Sequence, residues 1–234
     1  MRALILAAGF GTRMRPLTDI TPKPLLDAGG KPLIVWHLER LAAIGVQDVA
    51  INTAHLAERF PQVLGDGSRW GLRIHYAHEG TTPLETGGGM LHALPWLGEA
   101  PFLAVNGDIW CDFDLARLDT EPRGLAQLVM VDNPPHHPEG DFHLAPDARL
   151  HESGSPHLTF AGIGIYRPSL LASWRKVIGD TAGSRSAPPR FPLAPLLRAA
   201  MRDGAVDGMH HRGRWTDVGT PQRLSALDRD LRLH

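Results

Sequence analysis

The chain has 234 residues, 43% of them hydrophobic and 21% charged, a balance that supports a buried core and excludes disordered and fibrous classes. Its 24 basic and 25 acidic side chains leave a formal net charge of -1, so no positive excess is available to neutralise a nucleic-acid backbone or an anionic membrane. The one cysteine, Cys111, cannot close an intramolecular disulfide, which fits a reducing, cytoplasmic compartment, and no run of about 20 apolar residues is present to span a bilayer.

Residues 3–8 read as a continuous apolar strand and residues 9–18 as a glycine-containing polar loop. The apolar run after Arg2 is too short for an export signal. Leu33, Ile34, Leu38, Leu41 and Ala42 share one helix face over 33–43, with Gly45 as its stop. A strand over 49–51, a helix near 56–64, a strand over 72–77, a helix over 88–97 and a strand over 102–105 follow. Strand and helix alternating at this pitch predict βαβ units, hence an α/β fold: a Rossmann-like mixed, mostly parallel sheet with helices on both faces, in one domain over 1–234. Further on, 125–131 reads as a strand and 132–140, rich in proline and histidine, as a loop. A glycine-dotted strand covers 159–166, Pro168 starts a helix, and 181–190 is a surface connection of glycine, serine and proline. A helix over 193–201, a strand pair around 206–215 and a last helix from Pro221 complete the chain. No hexapeptide period of the kind that builds a β-helix is present.

The segment with most chemistry is Leu6-Ala7-Ala8-Gly9-Phe10-Gly11-Thr12-Arg13-Met14-Arg15-Pro16-Leu17, followed by Pro22-Lys23-Pro24-Leu25. A strand ending in small residues and two glycines lets backbone N–H groups approach an anion, and Arg13 and Lys23 add cationic donors. The dinucleotide-binding fingerprint is broken at its third glycine by Met14, which disfavours a dehydrogenase, and Gly30-Lys31 is followed by Pro32 where the other common phosphate loop needs Ser or Thr. Bland readings hold elsewhere. His136, His137, Asp141 and His143 lack the spacing of a zinc site and belong to a polar loop. Trp36, Trp70 and Trp96 are packing residues, and Cys111 is inert.

The N-terminal segment resembles the signature of the sugar-1-phosphate nucleotidylyltransferases. Glu85-Thr86-Gly87-Gly88-Gly89 is similar to that family's second glycine-rich nucleotide loop, Asn106-Gly107-Asp108 to its metal-binding strand end, and Trp215-Thr216-Asp217-Val218-Gly219-Thr220 to its second metal carboxylate. The segments 131–142, 159–164 and 191–197 are most similar to the branch that joins UTP to N-acetylmuramate 1-phosphate in cell-wall recycling. The resemblance implies small-molecule substrates, a nucleoside triphosphate and a sugar 1-phosphate, with Mg²⁺ as cofactor; it leaves oligomeric state open. It implies nucleotide binding by Ala8, Gly9, Gly11, Thr12, Arg13, Lys23, Glu79, Gly87 and Asn106, catalysis by Arg13, Lys23 and Asp108, and metal binding by Asp108 and Asp217. A sugar-facing subregion over about 110–190 would bring Gly140, Asp141, Glu152 and Gly162 to the sugar phosphate. Where the family carries Glu-Lys-Pro this chain has Glu152-Ser153-Gly154, and Arg190 is the substitute read for the missing lysine.

Such a reaction has its own physical demands. A sugar phosphate near its dianion needs no general base to attack the nucleotide's α-phosphorus. Repulsion is the obstacle: a triphosphate of charge about -4 meets a phosphate of about -2, and each unit pair at about 4 Å costs about 4 kcal/mol at an effective dielectric of about 20. Arg13, Lys23 and one divalent ion bring about +4 of compensating charge, which leaves room for a second ion or further donors, and Asp108 and Asp217 are the hard oxygen ligands that Mg²⁺ prefers. A carboxylate at Glu79 accepts from uracil N3–H as well as from guanine N1–H and its amino group, so the rivals are a mannose-type 1-phosphate guanylyltransferase and a non-catalytic nucleotide-sugar-binding regulator. Only the branch resemblance selects UTP.

Overall fold

The computed structural model describes residues 1–233. Strand β1 (Arg2–Leu6) lies inside the sheet, flanked in parallel by β4 (Asp48–Thr53) and β6 (Phe102–Asn106), and β5 (Arg73–His78) adds a parallel edge beside β4. The hairpin of β2 (Asp27–Ala28) and β3 (Lys31–Pro32) and helix α1 (Leu33–Ala43) connect β1 to β4; α2 (Arg59–Leu64) leads to β5 and α3 (Glu85–Leu97) to β6. Ala3, Leu4 and Ile5 are all buried because both faces of β1 are covered. Ala3 and Ile5 join the cluster with Ile34, Leu38 and Phe60, whereas Leu4 joins Met90, Ala93 and Leu97 of α3. That is why β1 reads as an unbroken apolar run rather than an alternation.

The second half of the chain widens this sheet. After β7 (Ile109–Cys111) come β8 (Ala126–Val131), β9 (Phe142–Leu144), β10 (Leu150–His151) and the long β11 (His157–Tyr166). β11 runs antiparallel between β6 and β8. Helices α4 (Ser169–Ala172), α5 (Trp174–Ile178) and α6 (Ala194–Arg202) cover one face, and β12 (Val206–His211) pairs in parallel with β8. Strand β13 (Trp215–Asp217) and helix α7 (Pro221–Leu233) end the described chain. The direction of β11 and β10 opposes that of all other strands in the main sheet, so the predicted mixed, mostly parallel sheet with helices on both faces is the one observed.

Three details differ from the sequence reading. The strands around 206–215 are not a pair: β12 joins the main sheet, while β13 pairs with β7. Helix α3 starts at Glu85, not at Gly88, because neighbours fill the space that its glycines leave. The short β7, β9 and β10 carry no local signal: at two or three residues each they are too short to show a period, and β7 finds its partner β13 far along the chain. A third apolar cluster joins the two ends of the sequence: Met14, Leu26, Ala28 and Leu33 pack with Trp110, Val218, Leu224 and Leu227.

Candidate active site

The carboxyl ends of β1, β4, β5 and β6 open into a cleft of about 220 Å³, bordered by Ala8, Gly9, Asn52, Glu79, Asn106 and Asp108, the place where ligands bind in open α/β sheets. A smaller notch of about 150 Å³ adjoins it, lined by Gly11, Thr12, Arg13, Met14, Lys23 and Gly219. Lys23 borders both cavities, and its Nζ donates to Asp108 Oδ2 at 2.5 Å. A mostly buried cation and a hard carboxylate thus meet where the two cavities join.

Local chemistry explains this placement. Gly107 N donates to the Leu6 carbonyl at 2.8 Å, and a Cβ at Gly107 would come to 3.0 Å of that oxygen; the turn after β6 therefore crosses the end of β1 and presents Asp108. Gly11 has φ +61°, the left-handed region that glycine adopts without penalty. From it the loop turns into a short helical turn at Thr12–Met14, and Thr18 Oγ1 donates back to the Gly11 carbonyl at 2.9 Å. Met14, at the position where a dinucleotide loop would have glycine, drives its side chain into the third cluster and anchors the loop. Arg13 stays exposed and makes no ion pair among the described residues.

Glu79 sits at the cleft wall with both oxygens engaged. Asn52 Nδ2 donates to Oε1 at 2.6 Å and Leu84 N donates to Oε2 at 2.7 Å; Asn52 Oδ1 in turn accepts from Ala7 N at 2.6 Å. Burial raises the pKa of Glu79 above the ordinary carboxylate value, against the lowering effect of the Leu84 and Asn52 bonds. The chain Glu79–Asn52–Ala7 ties β5, β4 and β1 together under the cleft, and each carboxylate oxygen keeps a further lone pair.

The glycines at the start of α3 are filled rather than open. A Cβ at Gly87 would meet the Phe191 ring at 2.6 Å, one at Gly88 the Pro189 carbonyl at 2.5 Å, and one at Gly89 both Asn52 Nδ2 and Glu79 Oε1 at 2.6 Å. Gly88 N already donates to the Phe191 carbonyl at 3.0 Å. The residues of α3 that border the cleft are Glu85 and Thr86; Gly87 faces neither cavity.

Asp217 is brought beside Asp108 by β7 and β13, with Val218 N donating to the Asp108 carbonyl at 2.7 Å. Arg223 Nη2 lies 3.0 Å from Asp217 Oδ2. His136 Nε2 lies 2.8 Å from Asp217 Oδ1, yet off the line of a hydrogen bond, so Oδ1 is a buried carboxylate oxygen without a hydrogen-bond partner. A buried hard oxygen without a hydrogen-bond partner, on a strand whose backbone is bonded to that of Asp108, fits a divalent cation of the Mg²⁺ type.

The sugar-side expectations divide. Gly162, at φ +77° in an irregularity of β11, abuts Asn106 so closely that a Cβ would lie 2.7 Å from its Nδ2. Gly140, at φ +64°, abuts Asn133. Asp141 anchors the loop before β9: its Oδ2 accepts from Phe160 N at 2.8 Å and its Oδ1 lies 3.2 Å from His137 Nε2. Arg190 reaches the cleft mouth, its Nε 3.5 Å from Glu85 Oε1. Glu152 is not brought in, because Arg202 at the end of α6 donates to its Oε1 at 2.7 Å and holds its pKa below the usual range. Sequence reasoning missed Asn52, Arg223 and His136. Only Arg223 had a usable signal, six residues after Asp217 at the start of a capped helix. Cys111 is buried, and burial pushes its thiol up to about 11, consistent with an inert side chain.

Parallel strand ends that carry a glycine loop, a lysine–aspartate pair and a second carboxylate define a nucleotide-transferring site, and similarity agrees. Residues 2–144 match the family model described as Nucleotidyl transferase; the chain belongs to this family of enzymes. It is 49% identical over 231 residues to the N-acetylmuramate alpha-1-phosphate uridylyltransferase of Neisseria meningitidis, covering 96% of this chain and 95% of that one. The uridylyltransferase of the same description from Caulobacter vibrioides is 34% identical, covering 98% and 96%. More distant is the mannose-1-phosphate guanylyltransferase of Mycobacterium tuberculosis, 32% identical and matched over only 64% of its length. A Bacillus anthracis protein assigned as a glucose-1-phosphate thymidylyltransferase and crystallised with sucrose superposes with a TM-score of 0.82 at 20% identity, covering 99% of this chain and 95% of that one, which establishes the shared fold.

Proposed function

We propose that the protein is a sugar-1-phosphate uridylyltransferase that joins UTP to N-acetylmuramate 1-phosphate, releasing pyrophosphate and forming UDP-N-acetylmuramate, as one catalytic unit over 1–234 in cytoplasmic cell-wall recycling. The observation that carries the reaction type is the Lys23–Asp108 pair at the junction of the two cavities; end-to-end identity of 49% to a uridylyltransferase supports the choice of substrates. The nucleotide lies in the larger cleft. Backbone groups of Ala8, Gly9, Gly11 and Thr12 line the triphosphate, with Arg13 and Lys23 beside the leaving pyrophosphate. The sugar lies toward Asn106, Gly162 and Gly140, within Arg190's reach, and the loop held by Asp141 shapes that side. Arg190, beside Glu85 at the cleft mouth, is a fork-shaped cation that suits a phosphate or the lactyl carboxylate of a muramyl sugar.

Asp108 and Asp217 would hold Mg²⁺, which when bound neutralises phosphate charge in the transition state. The chain's own residues do the rest. Lys23 exchanges Asp108 for a phosphate oxygen as substrate enters. Glu79 fixes Asn52, and through it the turn at Ala7, so the backbone amides that follow are aimed before ligand arrives, which avoids reorganisation during transfer. The sugar phosphate attacks in line with inversion at the α-phosphorus and needs no protein base.

Asp108→Ala is expected to lower turnover by about 10²–10³-fold at saturating UTP with the melting temperature retained, because one positioned group of this kind is worth roughly 10²–10³ in rate. Near-normal turnover in that variant removes the assignment. Pyrophosphate release across UTP, GTP, N-acetylmuramate 1-phosphate and mannose 1-phosphate tests the substrates; preference for GTP with mannose 1-phosphate, or no release with any pair, refutes the reading.

A further inference from the structure

The geometry points to Arg223 as a positioning residue for the metal-facing carboxylate Asp217, and to Gly219 as the gap through which it acts. This inference rests on the reading of Asp217 as a metal ligand. The segment Asp217-Val218-Gly219-Thr220-Pro221-Gln222-Arg223 is built as one device. Thr220 caps α7: its Oγ1 accepts from Arg223 N at 3.3 Å and its carbonyl from Leu224 N at 3.1 Å, with Pro221 in the first helical position where its missing N–H costs nothing. Leu224 and Leu227 fasten the helix to Trp110, Val218 and Met14. Arg223 therefore starts from a fixed backbone.

Its guanidinium then crosses Gly219. A Cβ there would lie 2.0 Å from Arg223 Nη2 and 3.0 Å from Asp217 Oδ2, so any side chain at this position would displace the guanidinium tip; the φ of Gly219 is not in the left-handed region. The contact is one-sided. Nη2 sits 3.0 Å from Asp217 Oδ2, while Asp217 Oδ1 and Arg223 Nε are both buried without hydrogen-bond partners. An arginine that holds Oδ2 while His136 Nε2 lies 2.8 Å from Oδ1 fixes how the carboxylate is turned, and so which lone pairs a cation meets, as second-layer partners of metal ligands do. The opposing effect is electrostatic, since a positive neighbour repels a divalent ion. Orientation is expected to outweigh it, because the arginine's charge is already spent on Asp217, and a carboxylate that loses its clamp on Oδ2 keeps only the His136 contact on Oδ1 and is free to swing about it.

The test uses Mn²⁺ as the probe, with the free ion followed by electron paramagnetic resonance in titrations of the intact protein. Arg223→Met is expected to bind Mn²⁺ about tenfold more weakly, within the roughly 10–100-fold cost of losing such a partner. The Mg²⁺ concentration for half-maximal turnover should rise by a similar factor, while kcat at saturating Mg²⁺ stays within about threefold. Gly219→Ala leaves the arginine in place but pushes its tip aside, and is expected to weaken Mn²⁺ binding comparably; it decides the matter if Arg223→Met does not fold. Unchanged or tighter Mn²⁺ binding in folded Arg223→Met, or in Gly219→Ala if that is the variant that folds, overturns the inference. Asp217→Ala is the control for the underlying reading: if it binds Mn²⁺ as the parent protein does, the metal assignment itself fails, and the inference with it.

Discussion

The two glycine-rich segments of this chain, 9–11 and 87–89, look alike in composition and are used in opposite ways. Around Gly9 nothing lies within 4 Å of where a Cβ would stand, and Gly11 takes a left-handed conformation that lets the loop turn. Around Gly87, Gly88 and Gly89 the space is already taken by Phe191, Pro189 and the Asn52–Glu79 pair. Gly9 is bare so that something from outside can approach the backbone, whereas at Gly11 a Cβ would meet Thr18 at 2.9 Å. The second segment is bare so that the protein's own chain can approach, which keeps Glu79 under the cleft and the 189–191 segment against α3. Glycine in a helix costs about 1 kcal/mol relative to alanine, a cost that close packing on three sides offsets.

Substitutions sharpen this contrast. The largest effect is expected for Gly88→Ala, whose Cβ runs into a backbone carbonyl that cannot swing away: a loss of about 3 kcal/mol in denaturant unfolding, the upper end of what overpacking typically costs, despite alanine's better helix propensity. An unchanged midpoint would put Gly88 with the open glycines. Glu79→Gln comes next. Asn52 Nδ2 and Leu84 N are both donors, a glutamine offers one acceptor oxygen, and Asn52 cannot flip because Ala7 N holds its Oδ1; one buried donor is left without an acceptor, at about 1–3 kcal/mol. Gly9→Ala should leave stability within about 0.5 kcal/mol, as expected where no contact is disturbed, yet weaken UTP binding about tenfold, read by calorimetry. Parent-like UTP affinity there would remove Gly9 from the cradle.

The smallest effect is a pH dependence. Because burial raises the pKa of Glu79 above its ordinary 4.5, the folded protein holds that proton longer than the unfolded chain does. Its contribution is most favourable below 4.5 and declines as pH rises from there through the raised folded value. The stability gap between the parent protein and Glu79→Gln should therefore narrow as pH increases across that window, and a gap that widens instead would reverse the assigned direction.

Much of the fold was legible because its signals are local. The unbroken apolar runs of β1, β4 and β6, the one-sided face of α1 and the stop at Gly45 each follow from a few adjacent residues, and the order of strands and helices implied the layered sheet. Asp108 and Asp217 were legible as carboxylates at strand ends, and Arg13 and Lys23 as cations beside a glycine loop. Sequence alone thus determined the α/β class, the strand ends that face the cleft and the kinds of charge found there.

Tertiary structure decided the rest. It split the expected 206–215 strand pair between two sheets, drew Glu152 onto Arg202 and away from both cavities, closed Gly87 and Gly88 with the 189–191 segment and Gly89 with Asn52 and Glu79, and set Arg223 over Gly219 against Asp217. Each depends on what lies across a gap in space: a glycine, a carboxylate or a three-residue strand looks the same along the chain whether its neighbour is solvent, a ligand or a distant backbone carbonyl.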